Sequence, residues 1–523
     1  MRRFSLWMVI LLVTCLLFVV TGCGEEVVDP PAENGVDVPD ADVPQEIVFG
    51  AGTETPSLDP FLEASDERSK RTVLLYEGLT WVDHDMVIQP AIAESWDISE
   101  DGTVYTFNIR QNAYFHNGEQ VTADDVEYSY RLFLDEDFPT AGRGDFAPVQ
   151  EVNKVDDFTV EFILAEPYAT LLAAVGGRYG AVVPEGTYDG GGDLRNTALG
   201  TGPYMLSDWV VDNRMILERF EQHWNEDIAH LDKITVQIIP SEDSLLAGLR
   251  SGEMDLAILG DPRSYLLIEG AAGLIVERHE ALRWSTMEFA NDTPPADDVR
   301  VRQAVSLAID KEEIVASAID GVGTVIGVMP TAFGDWVVPR EELPNQQRDL
   351  DAARALLEDA GYPDGLELPL RIIAGFVWMR PAAEVIASNL SEVGIDVQIE
   401  TVELGVWIED WTGYQQPNCL NEWGGFTDPD LLYYRHFRAR PVGGDWRRWD
   451  SEESSRILDA ARSTADYEER LALYSEFQEL MATEVPGIPL FSADDVSVRQ
   501  ENIVDYIHHP SGWWYGLVYA RVQ

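Results

Sequence analysis

Two well-separated stretches of this chain each read strand, helix, strand, and that pattern constrains the fold more than any other feature. In the first, the alternating run Ile234–Ile239 leads into a helix from Ser241 to Arg250, Gly252 stops it, and Leu256–Leu259 follows as a short apolar strand. In the second, strands at Leu368–Ala374 and Val397–Val402 flank a helix over Pro381–Val393. A helical crossover of this kind returns the chain to a mixed or parallel sheet, so each unit predicts α/β structure. At 523 residues the chain is too long for a single compact core, and two or three domains are expected.

The rest of the chain supplies local signals of the same quality. Trp96 and Ile98 alternate with polar residues, Glu100-Asp101-Gly102 makes a turn, and Tyr105, Phe107 and Ile109 alternate in phase, which predicts a β-hairpin with one buried face. After an exposed loop at Phe115-His116-Asn117-Gly118, Thr122 stands at a helix N-cap with Asp124 and Asp125 in the first turn. A second hairpin runs through Val155-Asp156-Asp157-Phe158 into a strand from Thr159 to Leu164. Asp298 caps a helix whose Val301, Ala304, Val305 and Ala308 share one stripe, Asp310 with Glu313 starts the next, and Tyr467–Met481 reads as an amphipathic helix capped by Asp466. No repeat of fixed period stands out, which argues against a solenoid or propeller.

Taken in order, Phe115-His116-Asn117-Gly118, then Thr122-Ala123-Asp124-Asp125-Val126 and Ser129, resembles the signature of the extracellular solute-binding proteins of family 5, the peptide, opine and nickel class that feeds ABC importers. Ser57-Leu58-Asp59-Pro60, and Asp298 to Ala304 through Ile309-Asp310, are similar to two further motifs of that family. The resemblance covers nearly everything after residue 45. It implies an α/β, periplasmic-binding-protein-like two-lobed fold of class II, with an extra small domain inserted in the first lobe and the ligand enclosed between lobes. Lobe I is then 46–80, 196–290 and 492–523, the inserted domain 81–195, and lobe II 291–491, with hinges near Ala290 and Ser492.

For the ligand site, Phe376-Val377-Trp378-Met379-Arg380 falls at the C-terminal end of a predicted strand, the edge where open α/β sheets bind ligands. Arg380 can hold a carboxylate bidentately and Trp378 can supply a flat apolar wall, although a surface arginine and a core tryptophan fit the same pattern. The segment Glu422 to Asp430 resembles the family stretch in which a tryptophan lines the pocket and an aspartate three positions later grips a peptide amine. Here Trp423 is present and Phe426 takes the aspartate's place, leaving Asp428 or Glu63 as electrostatic substitutes or as plain capping and surface residues. Trp378, Trp407, Trp411, Trp423, Trp446 and Trp449 all fall in lobe II, so aromatic stacking on an oligosaccharide is an alternative to a peptide solute. His436 is a conceivable lone metal ligand and His508-His509 cannot point both rings along one strand face, so a nickel chelate is the less favoured alternative solute, and no resident metal or other cofactor is expected.

Arg2 and Arg3 precede an apolar run from Leu6 to Val20, and Val20-Thr21-Gly22-Cys23 resembles a bacterial lipoprotein cleavage motif. Residues 1–22 are then a signal peptide, Cys23 carries a lipid that anchors the protein to the outer face of the cytoplasmic membrane, and 23–45 form an acidic, proline-rich tether. The net charge of -57 removes nucleic acid from the list of partners, because phosphate contacts need a basic face. That charge is spread along the chain, as on a solvated surface in salty surroundings. No G-x-S-x-G elbow occurs, and His279-Glu280 has Arg283 where H-E-x-x-H needs its second histidine. The expected protein is a non-enzymatic monomer that captures a peptide or other small solute and passes it to the membrane subunits of an ABC permease. A secreted glycoside hydrolase or peptidase is the alternative from another class.

Overall fold

The structure, a computed structural model, describes residues 43–62, 65–438 and 447–523. All of them belong to one compact unit, Asp42–Gln523. Cys23, the tether as far as residue 42, and Glu63 lie outside the described residues, whereas Gln45 at the tether's end is hydrogen-bonded to Val522.

The first expected unit forms as its pattern requires. Strand Glu46–Ala51 pairs in parallel with Lys233–Ile238 on one side and Leu256–Leu259 on the other, and helix Glu242–Ser251 makes the crossover. The Ser241 hydroxyl caps that helix by accepting from the Ser244 amide, and Gly252 closes it in the left-handed region at φ 74°. These three strands lie inside a seven-stranded sheet whose order runs Leu274–His279, Asp495–Gln500, Leu256–Leu259, Glu46–Ala51, Lys233–Ile238, Arg214–Arg219, Tyr204–Val210.

The second unit also forms. Strands Leu366–Ile373 and Ile395–Val402 are parallel along their full lengths, joined by helix Met379–Ser391, at the edge of a six-stranded sheet. Its remaining strands are Cys419–Trp423, Trp284–Glu288, Gly487–Ala493 and Gly323–Val325. The inserted domain is a separate four-stranded antiparallel sheet, ordered Ala93–Ile98, Val104–Ile109, Thr159–Leu164, Val149–Asp156, with helix Ala123–Arg131 against it. Its signature loop serves as structural glue. The His116 amide donates to Gly200 O at 2.9 Å and its Nε2 donates to Gly202 O at 3.0 Å, binding the insertion to the first lobe.

The chain passes from one large sheet to the other twice, at Glu280–Arg283 and at Asp494. The second crossing falls close to the expected position near Ser492. The first corrects the boundary placed at residue 290, since Trp284–Glu288 already belongs to the second sheet. All five residues of that strand are buried, so it lacks the apolar–polar alternation that would mark it as a separate element. The two crossings lie side by side, with the Ser492 hydroxyl 2.9 and 2.7 Å from the carbonyls of Ala281 and Arg283.

Far from these crossings, the insertion meets helices Pro429–Phe437, Glu452–Ser463 and Tyr467–Glu484 of the second lobe. The Ala169 amide donates to Arg462 O at 2.9 Å, Arg470 donates to the Thr170 hydroxyl at 3.3 Å, and Arg435 pairs with Asp145. The lobes are therefore joined at both ends of the cleft.

Within the insertion, one side chain is committed twice. Asp125 accepts from the Thr122 amide at 2.9 Å as a capping box, and from the Glu185 amide at 2.9 Å, which fixes the return segment. Replacement Asp125→Ala leaves both donors without a partner and is expected to lower unfolding free energy by about 1–2 kcal/mol in denaturant titration. Asp124→Ala, which removes a solvent-screened ion pair with Lys154, should lower it much less.

Candidate functional site

Between the two large sheets lies a cavity of about 270 Å³ with walls from both lobes. The first lobe contributes the C-terminal end of strand Glu46–Ala51, running on through Thr53, and Asp66, Glu67 and Lys70 from helix Asp66–Thr72. The second contributes Glu422, Gly424 and Gly425 after strand Cys419–Trp423. Arg283 and Asp495 at the crossings, with Ser511, Gly512 and Trp514 from the C-terminal segment, complete it. The backbones meet closely here. A Cβ on Gly425 would stand 2.8 Å from Ser511 Cα, so only glycine lets the lobes approach to this distance.

The charges of the cavity are mostly paired. Lys70 Nζ lies 2.6 Å from Glu67 and 3.6 Å from Asp66, and Arg283 lies 2.5 Å from Asp495. The other Asp495 oxygen accepts from His508 Nε2 at 3.0 Å, and the Tyr506 hydroxyl lies 3.2 Å from the opposite ring nitrogen. Burial pushes the Asp495 carboxyl up, but the Arg283 guanidinium and the His508 hydrogen bond outweigh it and hold the group well below the usual carboxylate range. Among the described residues Glu422 has no such neighbour within ion-pair distance. Burial pushes its carboxyl up, Arg283 opposes the rise from further away, and Asp66 adds to it.

A second cavity of about 220 Å³ adjoins the first, and Gly260, Arg283 and Glu422 line both. Apart from Asp261, its other walls are apolar, with Ala318, Ile319, Phe376, Val377, Trp378 and Phe491 among them. Trp378 packs edge-on against Phe491, and its indole nitrogen is buried without a hydrogen-bond partner.

The sequence-predicted residues separate under this geometry. Trp378 lines the second cavity. Arg380 does not reach it: two positions along the same helix its side chain is exposed, donating to the Thr401 hydroxyl at 2.6 Å. Trp423 faces the interior of the second lobe, donating its indole N–H to Glu288 at 2.6 Å and resting on His436. Successive residues of a strand point to opposite faces, so the turn of Trp423 into the core puts Glu422 in the cleft. Phe426 sits at the lobe contact with the Arg178 guanidinium 4.8 Å over its ring. Asp428 caps helix Pro429–Phe437 and pairs with Arg470 at 2.9 Å, which commits its carboxylate to the fold. Lys70, Arg283, Glu422 and Asp495 were missed; alternation along Cys419–Trp423 was the available signal for Glu422, and no local pattern marks the others.

The second-lobe tryptophans expected to offer stacking faces are largely engaged elsewhere. Trp407 and Trp411 stack on one another, Trp449 donates to Glu484, and Trp446 lies outside the described residues. His436 is buried, and burial with Arg447 beside it pushes its imidazole well below the ordinary value. Among the described residues no three histidine, cysteine or acidic side chains gather as a metal-binding group, and no helix is long and apolar enough to cross a membrane.

Comparison with known proteins places this geometry. A family model described as bacterial extracellular solute-binding proteins, family 5 middle, matches residues 87–444. Heme-binding protein A of Haemophilus influenzae is 26% identical over 476 residues, covering 82% of this chain and 84% of that protein. The dipeptide-binding protein of Escherichia coli is 24% identical over 465 residues, covering 81% and 84%. Among solved structures, the periplasmic binding protein DppA from Helicobacter pylori in complex with the peptide STSA matches with a TM-score of 0.78 at 25% identity, covering 91% of this chain and 98% of that one. CtaP from Listeria monocytogenes matches in fold with a TM-score of 0.82 at 20% identity, covering 91% and 99%.

The loop behind the cavity carries a pH dependence. His509 Nε2 faces Val82 O at 3.0 Å and therefore bears the proton, while Nδ1 accepts from the Ser511 hydroxyl at 2.7 Å. Burial pushes this imidazole down to about 4. The unfolded chain takes up a proton there near pH 6.5 and the folded one refuses it, so His509 costs stability progressively as pH falls from about 6.5 to about 4. Relative to His509→Asn, the wild type should lose unfolding free energy between about pH 7.5 and about pH 5 in denaturant titrations. A constant difference would contradict the buried neutral ring.

Proposed function

The chain belongs to the bacterial extracellular solute-binding proteins of family 5, which are transport binding proteins, and from that premise we propose that it captures a solute of the oligopeptide class and hands it to an ABC permease. The observation that carries this reading is the interlobe cavity, walled by both large sheets and centred on the paired crossings that join them. A guest held there touches both lobes at once, so it favours the closed arrangement by contacts that the open one lacks. The Arg435–Asp145, Arg470–Thr170 and Arg462–Ala169 contacts between the insertion and the second-lobe helices reinforce closure from the outer end.

The peptide assignment is supported by the dipeptide-binding relatives and by the mixed charge of the first cavity, which suits a zwitterion better than a sugar. With the described tryptophans of the second lobe mostly engaged in packing, an oligosaccharide has few aromatic faces to stack on. The protein works as a monomer without catalytic residues. It is held outside the cytoplasmic membrane by a lipid on Cys23, behind a proline-rich tether that spaces the folded part from the surface.

Opening should be read by small-angle scattering on the mature chain. A solute identified by mass spectrometry of the native preparation is expected to shrink the radius of gyration and to raise the melting temperature in one-to-one stoichiometry. Release of a cleaved product from peptides or oligosaccharides at a catalytic rate would establish an enzyme instead. For the anchor, Cys23→Ser should move the protein from the membrane fraction to the soluble fraction, and an unchanged distribution would remove the lipid from the account.

A further inference from the structure

Resting on the transport reading above, we propose that an apolar surface at the mouth of the second cavity, built from both lobes, is where the protein docks on the membrane subunits of its importer. Leu266 and Leu267 of the first lobe, on helix Tyr265–Ile268, are 53% and 61% exposed. That helix follows Asp261 and Pro262, which wall the cavity together with Phe376 and Val377 of the second lobe. Val377 is itself 55% exposed. The Ala374 amide donates to Val402 O at 2.8 Å, so the loop that holds Phe376 and Val377 emerges beside the start of helix Leu404–Thr412. On that helix Trp407 is buried, and Trp411, one turn on, packs against the same core. Leu404, Val406 and Ile408 are apolar too, yet all three are exposed, so the apolar face of the helix is wider than the lobe can bury.

Half of the large apolar side chains that the described residues expose fall on these three segments, so they make a patch rather than the scatter normal on a protein surface. Its rim is acidic: Glu269 follows the first-lobe helix, and Glu403 and Glu409 flank the apolar positions of the second, all three exposed. In a chain of net charge -57, those carboxylates oppose contact with a second copy or with anionic lipid. They also oppose cover by the chain's own acidic segment 23–45. That segment joins the fold where Gln45 meets Val522, at the N-terminal end of strand Glu46–Ala51, whereas the cleft lies at the strand's C-terminal end. The occupant that fits is a protein surface with an apolar centre and a basic rim. Each lobe supplies only part of the patch, and bending at the crossings separates the parts, so a partner that needs both binds the closed form more tightly. The membrane subunits of an importer have that need, since they act on the closed, loaded protein.

The test is photo-crosslinking of the full chain in native membranes, with p-benzoylphenylalanine replacing in turn Leu267, Leu404 and, as a control on an exposed hairpin of the insertion, Val155. Probes at Leu267 and Leu404 should each link to an extracytoplasmic loop of an ABC permease subunit, identified by mass spectrometry of the joined peptides, and the probe at Val155 should not. Ile408 lines neither cavity, and Ile408→Glu should cut the yield from the Leu267 probe at least about 10-fold. The melting temperature of that variant should match the wild type, because Ile408 is exposed. An unchanged yield overturns the proposal. Links from Leu267 and Leu404 to a second copy or to lipid alone overturn it as well, and permease links from only one of the two overturn a surface shared by both lobes. Permease links from Val155 at equal or higher yield overturn it while leaving the transport reading in place. Absence of permease links from all three positions removes the transport reading along with it.

Discussion

The carboxylate of Asp495 is the point at which the two halves of this molecule are referred to one another. It stands just after the second crossing, takes Arg283 from the first crossing on one oxygen and His508 from the C-terminal segment on the other, and is nearly closed off from solvent. Removing the partly exposed Arg283 would leave the buried Asp495 carboxylate with His508 as its remaining side-chain partner among the described residues. With Ser492 lying against the carbonyls of Ala281 and Arg283, the two crossings form one narrow axis. In the proposed closure these two tied segments bend as a single hinge, which lets each sheet keep its packing while the angle between them changes.

That axis also explains where the interlobe cavity is. The strand ends that converge on it, Ala51 and Leu259 from the first sheet and Trp423 from the second, bring loop backbone and charged side chains to one place. Closure at the far end relies on different chemistry. There the insertion meets the second lobe through polar contacts of Arg435 and Arg470, and through a buried hydrophobic cluster that joins Tyr168 and Leu171 to Leu431, Tyr434 and Tyr474 of the second-lobe helices.

The strong preference for arginine over lysine among the cations finds its use in the interior. Arg462 grips Asp430 with two nitrogens at 2.6 and 3.1 Å, Arg470 holds Asp428, and Arg447 is fully buried against Glu288. A planar guanidinium can satisfy a buried carboxylate bidentately, which an ammonium cannot. The few cations of this acidic chain are thus largely spent on pairs within the chain, and many of the remaining acidic groups face solvent, where mutual repulsion is screened.

Much of the architecture was legible in local pattern: both strand–helix–strand units, the capping residues Thr122, Asp298, Asp310 and Asp466, and the stop at Gly252 all appear where expected, because caps and periodicity are set by neighbours a few residues away. The first crossing was misplaced, since a strand buried on both faces shows no alternation to read. The candidate site was far less visible. Trp378 lines the second cavity, Arg380 and Trp423 turn to other faces, and Asp428 is a cap and an ion-pair partner. By itself the sequence determined the elements, their order and the family signature, all of which follow from short-range sterics and hydrophobic spacing. Only the tertiary structure decided which charges remain unpaired in the cleft, because Lys70, Arg283, Glu422 and Asp495 lie far apart in the chain and electrostatic pairing depends on distance in space.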